Sequence, residues 1–133
     1  MAEIFAISSV IPDPGGDNKQ IFLYQAPTDS LGGGVTVLSG AAVNGAATGA
    51  GTSFSFALHK YSSAGTPAVN GTVAAAIGGT AATIWAALVP QSFTIDTSVN
   101  FLDAGEWLVL DYQEDTAGNP TNATVTVQLQ MGK

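Results

Sequence analysis

The sequence predicts an all-β fold, a single-domain β-sandwich of jelly-roll type with eight or so short antiparallel strands. Three observations predict it. Short runs of apolar or alternating residues recur along the chain, turn residues rich in Gly and Asn separate them, and the helix-favouring residues Lys, Arg, Glu and Leu are scarce. A length of 133 residues is typical of one domain, here residues 1–133. Strands at this spacing are typical of sandwiches and barrels.

The strands are predicted from alternation and from their boundaries. Ala123–Met131 and Ser53–Tyr61 alternate between apolar and polar residues, the pattern of a strand with one buried face. The other candidate strands are apolar or alternating runs between turn residues: Glu3–Ile11, Gln20–Gln25, Val35–Leu38, Val69–Ile77, Ala82–Val89, Ser92–Asp96 and Trp107–Gln113.

The connections are predicted to be turns, with one exception. Asn70-Gly71 has the sequence of a tight hairpin turn, and Asp13–Asn18, Asp103–Gly105 and Ala117–Pro120 are further turn signals. Ser39–Thr52 is a low-complexity stretch of Gly, Ala, Thr and Asn with one Val. We predict a long loop there, either flexible or ordered against a partner, because loops of this length are usually functional or disordered.

The charge balance excludes several classes of partner. Three Lys, no Arg and ten acids give a net charge of −7, and nucleic-acid binding needs a patch of cations that this chain lacks. Anionic membrane surfaces are disfavoured for the same reason. The apolar runs are far shorter than the roughly 20 residues of a membrane span, and the first residues do not resemble a secretory signal. There is no Cys, hence no disulfide and no thiolate site, and nothing points to a cofactor.

No catalytic site is predicted. His59 is the only histidine, it lies on the polar face of its strand, and the chain has no G-x-S-x-G motif for a nucleophile. We interpret it as a surface or interface residue. Asp111, Glu114 and Asp115, with Asn119 close by, could converge on a hard cation such as Ca²⁺, as could Asp13, Asp17 and Asn18. Solvated turns are the default interpretation of both groups, so no metal site is predicted, and the sequence does not decide whether a cation binds.

Three segments resemble a known family. Phe56–Lys60 resembles its central strand, and Phe93–Leu110 resembles its pattern of a strand, then L-x-A-G-[DE]-x-L, then a strand, with Leu102–Leu108 as the motif. Ala117–Leu129 resembles its closing pattern of G-x-P followed by a strand. The family comprises small β-sandwich proteins encoded beside the capsid genes of tailed bacteriophages, the head decoration or cement proteins. The resemblance covers roughly residues 53–131.

The resemblance implies a virion protein that binds the major capsid protein on the outer surface of the phage head and stabilises it, often as a homotrimer. A low-charge surface fits such close packing, since little charge must be desolvated. The candidate interface residues are Ile4, Phe5, Ile7, Val10, Val43 and Trp85. An ordinary edge strand of its own sheet is the simpler interpretation of Glu3–Ile11.

Two other functions stay open. A carbohydrate- or receptor-binding module predicts exposed, coplanar aromatic rings. Trp85 is the better candidate for exposure, whereas Trp107 opens an apolar strand and is predicted to pack in the core. An enzyme predicts a cleft that holds His59 beside an acid.

Overall fold

The protein is an all-β sandwich in the computed structural model, which describes residues 3–11, 19–28, 33–45, 54–79, 85–114 and 123–132. Nine strands occur in these ranges: β1 (Ile4–Ile11), β2 (Lys19–Gln25), β3 (Val35–Val43), β4 (Phe54–Tyr61), β5 (Pro67–Gly79), β6 (Gln91–Ser92), β7 (Phe101–Leu102), β8 (Trp107–Glu114) and β9 (Ala123–Met131). The described ranges contain no helix that is long and apolar enough to span a membrane.

The strands form two antiparallel sheets. The first has the order β1-β9-β3-β6, with β7 also paired to β3, and the second has the order β2-β8-β4-β5. β6 and β7 pair with opposite ends of β3, so they act as one interrupted strand on the same edge. When β6 and β7 are counted as one strand, each sheet has four strands in the arrangement of a jelly roll. The predicted fold class is confirmed.

The core lies between the two sheets and follows the predicted alternation. β9 buries Val125, Val127 and Leu129, while Thr126 and Gln128 face solvent. Phe54, Phe56 and Leu58 of β4 are buried in the same cluster, together with residues of β8. Burial of apolar area contributes about 25 cal/mol per Å², so these inward faces hold the sheets together.

The hairpin turn predicted at Asn70-Gly71 is wrong. Both residues lie within β5, where the register with β4 shifts between His59 and Tyr61. The β4–β5 turn is instead at 62–66, where the Ser62 amide donates to the Thr66 carbonyl over 2.7 Å. Asn70 has a φ of 54°, and a Cβ on Gly71 would lie 2.9 Å from the Lys60 carbonyl oxygen. Asn-Gly therefore forms a β-bulge here. A hairpin turn and a β-bulge both need a residue with positive φ or a close backbone approach, so the same dipeptide suits either.

The long loop predicted at Ser39–Thr52 is wrong over its first five residues. Ser39–Val43 continues β3 and pairs with Gln128–Thr124 of β9. Small residues with weak strand preference form a strand here because β9 supplies a complete hydrogen-bonding edge. Residues 46–53, Asp13–Asn18 and Ala117–Pro120 lie outside the described residues.

Three further elements differ from the prediction. Within the predicted strand Ala82–Val89, residues 85–89 contain a turn and no strand, and residues 82–84 are outside the described ranges. Of the predicted strand Ser92–Asp96, only Ser92 lies in a strand, β6. The short strand Phe101–Leu102 was not predicted. The turn predicted at Asp103–Gly105 is confirmed: the Glu106 amide donates to the Asp103 carbonyl over 3.0 Å, and Gly105 has a φ of 84°.

Candidate functional site

Strand β1 presents exposed apolar side chains. Its alternation leaves Ile4 59% and Val10 64% exposed, while Phe5 and Ile7 are half-buried and pack against the core. The Phe5 ring lies 5.4 Å from that of Tyr24, across the sandwich. Of the four interface candidates on β1, two therefore face solvent and two pack against the core along the edge where β1 and β2 lie.

Trp85, the better candidate for an exposed or interface aromatic, is buried. Its side chain is 2% exposed. The indole stacks on Phe54 with centroids 5.5 Å apart and meets Phe56 edge-on at 6.0 Å. Its Nε1–H donates to the Val89 carbonyl oxygen over 2.7 Å. A large aromatic whose N–H finds a partner is stable in a core.

The turn after Trp85 carries the exposed residues instead. Leu88 is 72% and Val89 51% exposed. The Leu88 amide donates to the Asn44 carbonyl over 2.9 Å, which places this turn beside the end of β3 and next to the half-buried candidate Val43. We call Val43, Leu88 and Val89 the turn patch. Leu88 lay in a predicted strand, and no local signal in the sequence indicated its exposure.

The backbone at Leu88 is strained. Its φ is 60°, a left-handed conformation that costs a non-glycine residue about 1–2 kcal/mol. Asn adopts it more readily, so Leu88→Asn is expected to stabilise the protein by about 0.5–1 kcal/mol in chemical denaturation. A loss of stability would show that the exposed leucine packs on the fold. Leu88→Ala is the control, because it removes the same side chain and keeps the strain.

A second group of aromatics lies on the outer face of the β2-β8-β4-β5 sheet. Trp107 is half-buried there, so its predicted place in the core is wrong. Phe22 lies edge-to-face with both Trp107 and Tyr61, at 5.3 and 5.5 Å with interplanar angles of 86° and 82°. Phe22 is 44% exposed. The sugar-binding alternative predicts a flat platform of coplanar rings, and these three rings do not form one.

His59 and Asp111 share this outer face. His59 Nε2 lies 3.6 Å from Asp111 Oδ2, and the His59 side chain is 30% exposed. The Gln20 and Gln113 side-chain amides donate to the Asp111 carboxylate, at 3.2 and 3.3 Å. Burial, and secondarily the Asp111 charge, raise the pKa of Tyr61 above its ordinary value of 10.0. The histidine does lie beside an acid, as the enzyme alternative requires, but on an open sheet face.

The acids of β8 do not converge. Asp111 faces outward, whereas Glu114 lies on the opposite face of the strand, where it accepts a hydrogen bond from the Tyr112 hydroxyl. Asp115 and Asn119, like Asp13, Asp17 and Asn18, lie outside the described residues. Within the described ranges no three His, Asp or Glu residues form a group that could hold a metal ion.

Lys60 is engaged within the fold. Its Nζ donates to the Phe101 carbonyl oxygen over 3.1 Å and lies 3.9 Å from Glu106 Oε2. The ammonium group therefore links β4 to the segment that connects β7 and β8. A lysine held in this way offers little charge to a partner.

The comparisons with known proteins identify no family. A chain from the structure of infectious bursal disease virus, Gx strain, is 19% identical, with a TM-score of 0.48, and the match covers 99% of this chain and 32% of that one. A similarity at this level carries no functional argument. No protein-family model matches the sequence, and no curated protein matches it. The resemblance to decoration proteins thus stays a prediction.

Proposed function

We propose that this protein is a structural virion protein that decorates and stabilises the outer surface of a bacteriophage head by binding the major capsid protein. The observation that carries the proposal is the set of exposed apolar side chains on β1 and in the turn patch, on a chain with 10% charged residues. Isolated exposed apolar residues need no explanation. Here, however, Ile4 and Val10 share one face of one strand, and Leu88 and Val89 share one turn.

The chemistry of this surface favours apolar contact over charge attraction. An exposed ion pair contributes only about 0–1 kcal/mol. Apolar burial contributes about 25 cal/mol per Å², so an interface of ordinary size can be held by these side chains and backbone hydrogen bonds. Since Lys60 is already engaged within the fold, we expect neither a charge-dominated protein interface nor nucleic-acid binding.

The fold is compatible with this role but does not select it. Jelly rolls include both viral capsid and lectin domains, so the architecture alone is an analogy. The phage assignment rests on the resemblance of residues 53–131 to the decoration proteins.

The test begins with the genes beside the one for this chain: where one of them encodes a major capsid protein, heads are assembled from it and the purified protein is co-sedimented with them. We expect binding that changes less than about twofold between about 50 and about 500 mM NaCl, where the Debye length falls from about 14 to about 4 Å. A Leu88→Asn/Val89→Ser variant should bind at least about tenfold more weakly, because it removes the two exposed apolar side chains of the turn patch without touching the core. The control is Val69→Ser, which alters a valine that is 91% exposed at a distant site.

Three results would refute the proposal. The first is a protein that binds no head, and the second is a chain with no capsid gene beside its own. The third is binding that collapses at the higher salt concentration, which would indicate charge attraction.

A carbohydrate- or receptor-binding module is the second candidate, and the partly exposed aromatic group Phe22, Tyr61 and Trp107 is the surface that such a module would use. Glycan-array binding abolished by Phe22→Ala, with head binding unaffected, would support this candidate. Because the rings are nearly perpendicular, we expect no stacking on a sugar ring.

A further inference from the structure

The free edge of β1 presents a regular row of backbone groups. β1 pairs with β9 on one side, and the described residues place no strand on the other. The Met131 amide donates to the Glu3 carbonyl over 2.9 Å. Hydrogen-bonded and non-hydrogen-bonded pairs alternate in an antiparallel ladder, so the odd-numbered residues of β1 point their backbone groups toward β9. The amides and carbonyls of Ile4, Ala6, Ser8 and Val10 therefore point away from the sheet.

This edge lacks the features that normally prevent strands from pairing. Ile4–Ile11 contains no charged residue and no Pro, and its register with β9 is unbroken. The other long edge strands are irregular: β2 has a register shift between Phe22 and Tyr24, and β5 has three shifts against β4. Bulges, charges and prolines on edges block unwanted pairing. Of the long edges described, β1 is the one left open.

The sequence of this edge is complementary to itself. In an antiparallel pair of β1 strands with Ile7 opposite Ile7 of a second copy, Ile4 faces Val10 and Ala6 faces Ser8. All four are the residues whose backbone groups point outward, so each pair can exchange two hydrogen bonds. The same register also places the two most exposed apolar side chains of β1 side by side.

We propose that β1 pairs with β1 of a second copy in this register, forming one sheet that continues through both sandwiches. Such a contact is isologous and closes as a two-fold dimer. The homotrimer implied by the resemblance would need a different, heterologous contact. The inference does not depend on capsid binding, because it is measured on the isolated protein.

Single cysteines test the register, since the chain has no Cys of its own. Ile7→Cys would place two thiols on directly opposite residues at the two-fold axis, with Cα atoms about 4.5–5.5 Å apart, and is expected to give a disulfide-linked dimer on oxidation. Ser9→Cys is the matched control, also half-buried. Its two copies would lie four residues apart along the strands, about 13 Å, beyond disulfide reach. Equal cross-linking at both positions, or none at position 7, overturns the register.

A charge-swap pair tests the same contact without altering the core. Ile4→Lys/Val10→Glu places opposite charges across the interface at both ends, whereas Ile4→Lys/Val10→Lys places like charges there. We expect the first variant to sediment at twice the mass of the 13.4-kDa chain, as the parent does, and the second to dissociate about tenfold more readily.

The remaining outcomes decide between occupants of the edge. Equal association of the two charge variants overturns the proposal. A parent protein that is monomeric at all concentrations also overturns it. If, in either case, the two charge variants lose head binding, the β1 edge contacts the capsid instead of a second copy. If head binding is absent while the two-fold dimer forms, the proposed function fails and this inference stands.

Discussion

Trp85→Ala is expected to lower the free energy of unfolding by about 3–5 kcal/mol, the range for removing a large aromatic from a core. The indole is 2% exposed and contacts Phe54 and Phe56. Its loss leaves a cavity between the sheets, and it also removes the hydrogen bond that holds the Val89 carbonyl. Urea denaturation followed by circular dichroism measures the change.

Leu88→Ala is the matched control, in the same turn. Its side chain is 72% exposed, so the stability should change by no more than about 0.5 kcal/mol. A loss below about 1 kcal/mol for Trp85→Ala would contradict the packing described for this residue. If the turn patch binds a phage head, as proposed above, Trp85→Phe should retain most of the core packing and yet weaken that binding, because it releases the Val89 carbonyl.

Gly78→Ala is expected to destabilise the protein by about 3 kcal/mol or more, through a backbone clash combined with conformational strain. Gly78 has a φ of 154°, and a Cβ there would lie 2.0 Å from the Phe54 carbonyl oxygen. The obstacle is backbone, so no side-chain rotation relieves it. The Gly78 amide and carbonyl also bond the Gln91 side chain, at 3.1 and 3.3 Å. The substitution therefore disturbs the β4–β5 pair and its link to β6.

Gly132→Ala is the control that separates the effect of the backbone clash at Gly78 from the effect of a positive φ. Gly132 has a φ of 74°, but a Cβ on this residue would meet no described atom within 4 Å, so its substitution should cost about 1 kcal/mol. Thermal unfolding of both variants tests the comparison. Equal losses would mean that β5 shifts to accept the methyl group and that the close approach to Phe54 is not needed.

The sequence predicted some properties of the candidate functional residues, and the tertiary structure decided others. The alternation of β1 places Ile4 and Val10 on one face and Phe5 and Ile7 on the other, but both faces carry apolar residues, so only the assembled sandwich decided which face is exposed. The burial of Trp85 was not predictable, because the sequence around it shows no clear period. Phe54 and Phe56, which surround it, lie about thirty residues earlier in the chain. The proximity of His59 to Asp111 depends on the pairing of β4 with β8.

Local patterns predicted the all-β class and the positions of β1, β2, β4, β8 and β9, since a strand with one buried face needs a period of two in its own residues. Non-local pairing decided the rest. Ser39–Val43 is a strand because β9 lies beside it, and Asn70-Gly71 is a bulge because the chain approaches Lys60 there. An edge such as β1 is likewise a property of the sheet order: its residues specify a strand, and only the assembled sandwich leaves one side of it open.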